Sequence, residues 1–143
     1  MCGIVGALQG GSNFSCGPNA LNSKIQLMLQ IMSHRGPDCS DTYIDENIGL
    51  GHCRLSIIDT VERSNQPMID KSGRFILTFN GELYNYKELR NVLKGLGYSF
   101  KTKSDTEVML YSFVEWREKA LEKFIGMFAG CFYDRFSKTS LLF

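Results

Sequence analysis

The sequence predicts an α+β fold built on a mainly antiparallel sheet. Two observations carry that prediction: β-like and helical runs come in blocks instead of strict alternation, and three β-like runs stand in succession, the last preceded by the turn "DKSG". A third, composition, says the chain can build a core. Its 143 residues are 43% hydrophobic and 22% charged, which is ordinary for one globular domain.

The elements follow in order. "GIVGAL" at 3–8 reads as a short buried strand, and "QGGSNFSCGPN" after it reads as loop. Ile25, Leu29 and Met32 recur at helical spacing, so 21–33 is an amphipathic helix, stopped at "SHRGPDCSD" by Gly36 and Pro37. Three β-like runs come next: "TYID", "IGLGHCRLSIID" and "RFILTFN", the last preceded by the turn "DKSG". A second helix covers 84–96, with Leu89, Val92 or Leu93, and Leu96 on one face and Gly97 as its C-terminal stop. A third starts at "SDTEVML", where Ser104 or Asp105 caps and Glu107 stands at capping-box spacing from Ser104. Met109, Phe113 and Trp116 form its apolar stripe. "MFAGCFYD" is a further strand, and "SKTSLLF" opens a hairpin partner that stops with the chain.

Charge and cysteine usage exclude several function classes. Sixteen basic residues against fifteen acidic leave a formal charge of +1, which favours neither nucleic acid nor a membrane surface. No apolar run approaches the roughly 20 residues of a membrane span. Five cysteines, at 2, 16, 39, 53 and 131, include no C-x-x-C pair, and only His34 and His52 could join them as metal ligands. Reduced thiols in the cytoplasm and no metal are therefore expected.

Beside the polar loop "SHRGPD", which reads as a helix stop with a turn, three features call for a chemical explanation. Cys2 stands directly behind Met1, and removal of Met1 would leave a thiol and a free α-amino group on one residue. Their reference pKa values, about 8.5 and about 7.7–8.0, both lie near working pH. Arg54 interrupts an apolar strand-like run, where a cation needs an anionic partner. Asn80-Gly81 ends a strand ahead of a helix and can aim an amide and a backbone N–H at one developing oxyanion. Each has a plainer reading as well: a buried thiol, a structural ion pair, a hairpin tip.

Taken together and in order, "MCGIVG", "SHRGPD", "GHCRLSIID", "NQPM", "FNGELYNYKELR" and "SDTEV" resemble the glutaminase domain of glutamine-dependent asparagine synthetases. These are class II glutamine amidotransferases of the N-terminal-nucleophile type. Glucosamine-phosphate synthases and purine amidotransferases share the opening and an Asn-Gly, but "HRGPD", "RLSIID" and "NGELYNYKELR" resemble the asparagine synthetase branch more closely.

The resemblance implies an N-terminal-nucleophile hydrolase fold, an αββα four-layer sandwich with mainly antiparallel sheets. It also implies that residues 1–143 form a glutaminase domain truncated at its C-terminal end, with the synthetase domain absent. Cys2 would be the nucleophile, forming a γ-glutamyl thioester with its own α-amine as base. Asn80 and Gly81 would form the oxyanion hole, Arg54 would take the substrate α-carboxylate, and Asp105 the α-ammonium. Backbone groups across Leu55, Ser56, Ile57 and Ile58 and at Glu82 would hold the amino-acid end. The product ammonia would pass through an internal tunnel to an ATP- and Mg-using synthetase domain that makes asparagine from aspartate, in a protein that can form a homodimer.

Other readings stay open at this stage. One is a non-catalytic module that binds glutamine or docks on a partner, and another is the glutaminase half of an amidotransferase acting on a different carboxylate. A third is a thiol-based redox or metal protein, which the scatter of the cysteines disfavours.

Overall fold

The computed structural model describes residues 2–9, 17–54 and 65–143. Seven strands and three α-helices are described: β1 (Gly3–Leu8), α1 (Pro18–Ile31), β2 (Cys39–Ile44), β3 (Ile48–Arg54), β4 (Met68–Ile69), β5 (Phe75–Leu83), α2 (Tyr86–Gly95), α3 (Asp105–Trp116), β6 (Gly126–Asp134) and β7 (Thr139–Leu142). The strands form two antiparallel sheets, one ordered β1-β3-β2 and the other β4-β5-β6-β7. Two short 3-10 helices, Ser33–Arg35 and Arg117–Lys123, follow α1 and α3.

Three hydrophobic clusters define four layers. Leu21, Ile25 and Leu29 of α1 pack with Val5, Ala7 and Cys53 on the outer face of the three-stranded sheet. Its inner face sends Ile48 and Leu50 against Ile76, Cys131 and Tyr133 of the other sheet. Beyond that sheet, Leu77, Phe79, Leu83 and Phe132 meet Leu89 and Leu93 of α2 and Val108, Met109 and Phe113 of α3. The order is helix, sheet, sheet, helices, as the αββα expectation requires.

Strand β3 explains how α1 comes so close. Its seven residues are all buried, and period-two alternation turns Ile48, Leu50, His52 and Arg54 inward and Gly49, Gly51 and Cys53 toward the helix. A Cβ on Gly49 would stand 2.7 Å from Ile25 Cγ1, and one on Gly51 2.8 Å from Val5 Cγ2. The Ile25 side chain rests where the two glycines of β3 leave room.

The helix-packed face of the second sheet is filled with rings instead. Phe113 lies 5.0 Å from Phe132, 5.4 Å from Phe124 and 4.9 Å from Phe143 by ring centroids, within the range of favourable aromatic pairs. Trp116, at the end of α3, packs against this cluster and carries Lys123 Nζ 5.0 Å over its ring.

Several sequence expectations need correction. Helix α1 spans 18–31 and not 21–33, because Pro18 supplies a preset first turn and the chain tightens to 3-10 geometry after Met32. In α2 the buried face is Leu89 and Leu93; Val92 and Leu96 are exposed, Leu96 because it already lies past the helix end. Strand β5 does not end at Asn80 but continues through Leu83. Two short elements, β4 and the 3-10 helix after α3, carry no periodicity long enough to read. Ser104 is the N-cap of α3, accepting from the Glu107 N–H at 3.4 Å. The reciprocal half of a capping box is missing: the Glu107 carboxylate turns back to accept from the N–H groups of Lys101 and Thr102 and from the Thr102 hydroxyl.

Candidate active site

The sequence-predicted site residues lie at two strand ends. Gly3 pairs with Cys53 across β1 and β3, so Cys2, one residue earlier, comes level with Arg54, one residue later. On the other side of Arg54 stands Cys39, its register partner in β2. Cys2 is partly exposed, and its carbonyl accepts from Arg35 Nε at 3.2 Å. Arg54 is 8% exposed, its Nη1 donating to Asn65 Oδ1. Asn65 Nδ2 in turn lies 3.4 Å from Cys39 Sγ. Cys53 faces away from Arg54, into the α1 cluster, where its thiol donates to the Leu29 carbonyl. Burial pushes that thiol's pKa up, with the neighbouring Cys2 adding to the shift.

The second strand end is that of β5, and here the backbone is the functional element. Asn80, Gly81 and Glu82 pair with Ala129, Phe128 and Met127 of β6, so Asn80-Gly81 lies inside a strand and not at a hairpin tip. Gly81 has φ +147°, and a Cβ there would stand 2.1 Å from the Met127 carbonyl oxygen; only glycine fits. Strand β4 covers only Ile76 and Leu77, leaving the rest of that edge of β5 to other partners. The Phe79 N–H donates to Gln66 Oε1 at 2.6 Å, and the Leu83 N–H to Asp105 Oδ2 at 3.1 Å. Alternation directs the Gly81 N–H to the same edge, between these two. Asn80 stands beside it, half-buried, on the face toward the other sheet.

Electrostatics divide the site into two poles. Arg54 supplies positive charge from the three-stranded sheet. Asp105, at the start of α3, supplies negative charge from the other side, reinforced by exposed Glu82. Burial raises the Asp105 pKa against the opposing effect of backbone hydrogen bonds, and Glu82 raises it further. The carboxylate is thus held where a cation would relieve it. Between the sheets, His52 is 1% exposed, and among the described residues neither ring nitrogen makes a hydrogen bond of good geometry. Burial and then the Arg54 charge lower its pKa to about 4, only partly opposed by a weaker backbone contact with Phe79, so the ring is neutral at working pH.

Cys2, Arg54, Asn80, Gly81, Glu82 and Asp105 all fall on these two strand ends and the helix start beside them. Leu55, Ser56, Ile57 and Ile58 lie outside the described residues, as do Met1 and Cys16. Sequence reasoning assigned no role to Asn65, Gln66, Cys39, Arg35 or His52. The first two stand in "NQPM" and Arg35 in "SHRGPD", segments whose polar residues had no stated use.

A family model described as a glutamine amidotransferase domain matches residues 1–143. The chain belongs to this glutamine amidotransferase domain family. Among relatives of the domain, asparagine synthetase [glutamine-hydrolyzing] 1 of Bacillus subtilis is 42% identical over 139 residues, covering 94% of this chain and 21% of its own. Asparagine synthetase [glutamine-hydrolyzing] 3 of the same organism is 36% identical, covering all of this chain and 22% of its own. The chain therefore spans about a fifth of the length of these curated relatives. Among solved structures, the B. subtilis glutamine phosphoribosylpyrophosphate amidotransferase complexed with ADP and GMP superposes with a TM-score of 0.53 at 23% identity, over 64% of this chain and 22% of that one. That likeness concerns the fold. In the described part of the amidotransferase domain, no helix is long and apolar enough to cross a membrane, and no group of three His, Cys, Asp or Glu residues is placed to hold a metal.

Proposed function

We propose that this amidotransferase domain hydrolyses the side-chain amide of L-glutamine to glutamate and ammonia. The observation that carries the reading is the end of β5: Gly81 at φ +147°, beside the Asn80 amide, on an edge where the Phe79 and Leu83 N–H groups are capped by side chains. Two donors in that arrangement suit a tetrahedral oxyanion.

The chemistry follows from the residues around it. With Met1 removed, the Cys2 thiolate attacks the amide carbon, forming a C–S bond while the carbonyl oxygen takes the charge onto the Asn80 amide and the Gly81 N–H. The Cys2 α-amine accepts the thiol proton and returns it to the nitrogen as the C–N bond breaks, releasing ammonia. Water then hydrolyses the γ-glutamyl thioester by the same route in reverse, freeing glutamate. Arg54 pairs with the substrate α-carboxylate, for which its planar two-pronged donor is well shaped, and partly buried Asp105 receives the α-ammonium. The two poles carry the opposite charges that the two ends of a zwitterionic amino acid would pair with. The backbone at 55–58 and Glu82 complete the grip on the amino-acid end.

The ammonia serves, in this reading, a synthetase domain of the same protein that uses ATP and Mg to make asparagine from aspartate. Support comes from the relatives, which are named as glutamine-hydrolysing asparagine synthetases. A reducing, cytoplasmic setting suits a mechanism that needs Cys2 as a free thiol.

Glutamate release by the Met1-processed protein, wild type beside Cys2→Ala, tests the reading. Wild type is expected to turn over glutamine and Cys2→Ala to lose at least about a thousandfold, since no other group supplies the covalent step. A Cys2→Ala protein that still releases glutamate sinks the mechanism.

A further inference from the structure

One dipeptide touches both halves of the site. Asn65 and Gln66 follow each other just ahead of β4, and their side chains reach in different directions. Asn65 Oδ1 accepts from Arg54 Nη1, at the end of the three-stranded sheet. Gln66 Oε1 accepts from the Phe79 N–H of the other sheet, one residue before Asn80. Two consecutive residues thus link the strand end that carries the cation to the strand that carries the oxyanion donors.

We infer that Asn65 and Gln66 are positioning residues: Asn65 aims the Arg54 guanidinium at the substrate α-carboxylate, Gln66 fixes the β5 segment bearing Asn80 and Gly81, and their adjacency sets the span between the two. The inference rests on the glutaminase reading above.

The chemistry of each contact supports a specific role. A guanidinium only donates, so the Asn65 amide must present its oxygen to Arg54, and its nitrogen is then held on Cys39 Sγ. The amide is fixed at both ends. Asn65 is also neutral, so it orients the buried cation without cancelling the charge an incoming carboxylate needs. An aspartate there would orient Arg54 equally well and neutralise it. Gln66 is 7% exposed and supplies the acceptor for a buried edge N–H that β4 is too short to reach. Without it, that stretch of β5 must shift toward another acceptor, two residues from Gly81.

The test uses the full-length, Met1-processed protein and steady-state glutaminase kinetics. Asn65→Ala is expected to raise KM for glutamine about tenfold with kcat within about twofold, the signature of a binding contact. Asn65→Asp, which keeps the acceptor, is expected to raise KM at least as much, because it takes up the charge. On top of Arg54→Ala, Asn65→Ala is expected to add nothing further. Gln66→Leu is expected to lower kcat about tenfold with KM little changed. The proposal is overturned if Asn65→Ala or Asn65→Asp leaves KM unmoved, if the Asn65→Ala effect persists in full beside Arg54→Ala, or if Gln66→Leu moves KM and spares kcat. Asn65 is only half-buried, so its arm decides even where Gln66→Leu fails to fold. Wild type that releases no glutamate overturns the functional reading together with these roles, whereas an active wild type with an indifferent Asn65→Ala overturns the positioning alone.

Discussion

The two sheets of this domain solve the same problem by opposite means. The three-stranded sheet receives Leu21, Ile25 and Leu29 of its helix over Gly49 and Gly51, where β3 contributes no side chain. The four-stranded sheet stands off from α2 and α3 by a layer of phenylalanine rings. The first interface is limited by how little room it has, the second by how completely it is filled. Substitutions should therefore fail in opposite directions: enlargement harms the first and truncation harms the second. Both strand ends that form the site extend from these layers, so the site's geometry depends on both kinds of packing.

Truncation of the aromatic layer is the largest expected effect. Phe113 is fully buried among Phe124, Phe132 and Phe143, and Phe113→Ala should cost about 3–5 kcal/mol, read as a fall in urea midpoint with little change in slope. A loss under about 1 kcal/mol would mean that the ring layer closes over the gap and that the contrast between the layers is overstated.

An acid-sensitive contribution comes from the space between the sheets. The pKa of His52 is lowered from 6.5 to about 4 in the folded chain, so the unfolded chain takes up the proton first as pH falls. Stability contributed by the neutral ring is intact above about pH 6.5 and is lost progressively down to about pH 4, about 3 kcal/mol in all. Urea melts at pH 7 and pH 4.5 should show wild type losing more than His52→Gln. Equal losses would mean His52 is solvated in the folded state.

The smallest of these effects lies at the glycine floor. On Gly51 a methyl would meet Ile25 Cγ2 at 2.9 Å and Leu29 Cδ1 at 3.0 Å as well as Val5. Gly51→Ala should destabilise by about 1–3 kcal/mol despite its β-favouring change, measured by the same melts. A stabilised variant would show that α1 can lift away freely, and that the close approach carries no structural constraint.

How legible all this was in the sequence depended on the range of the signal. Helical spacing exposed Ile25 and Leu29, and Ser104 with Glu107 marked the start of α3, because those cues are local. Arg54 stood out because a cation inside an apolar run demands a partner. Asn80-Gly81 was misread as the end of a strand: the dipeptide usually turns a chain, and only the pairing of Gly81 with Phe128 keeps it in one. The roles of Asn65 and Gln66 could not be read, since each depends on a contact 11 or 13 residues away that no local pattern encodes. Leu96 continued an apolar period by one step after the helix had ended.

Trp116 is the only tryptophan in the chain. It stands eleven residues along α3 from Asp105, about 16 Å at helical rise. Its fluorescence should therefore follow the aromatic layer as that layer melts, while remaining indifferent to what occupies the site at the opposite end of the helix. Folding and ligand occupancy can then be followed in one sample by separate optical and chemical signals, without adding a label.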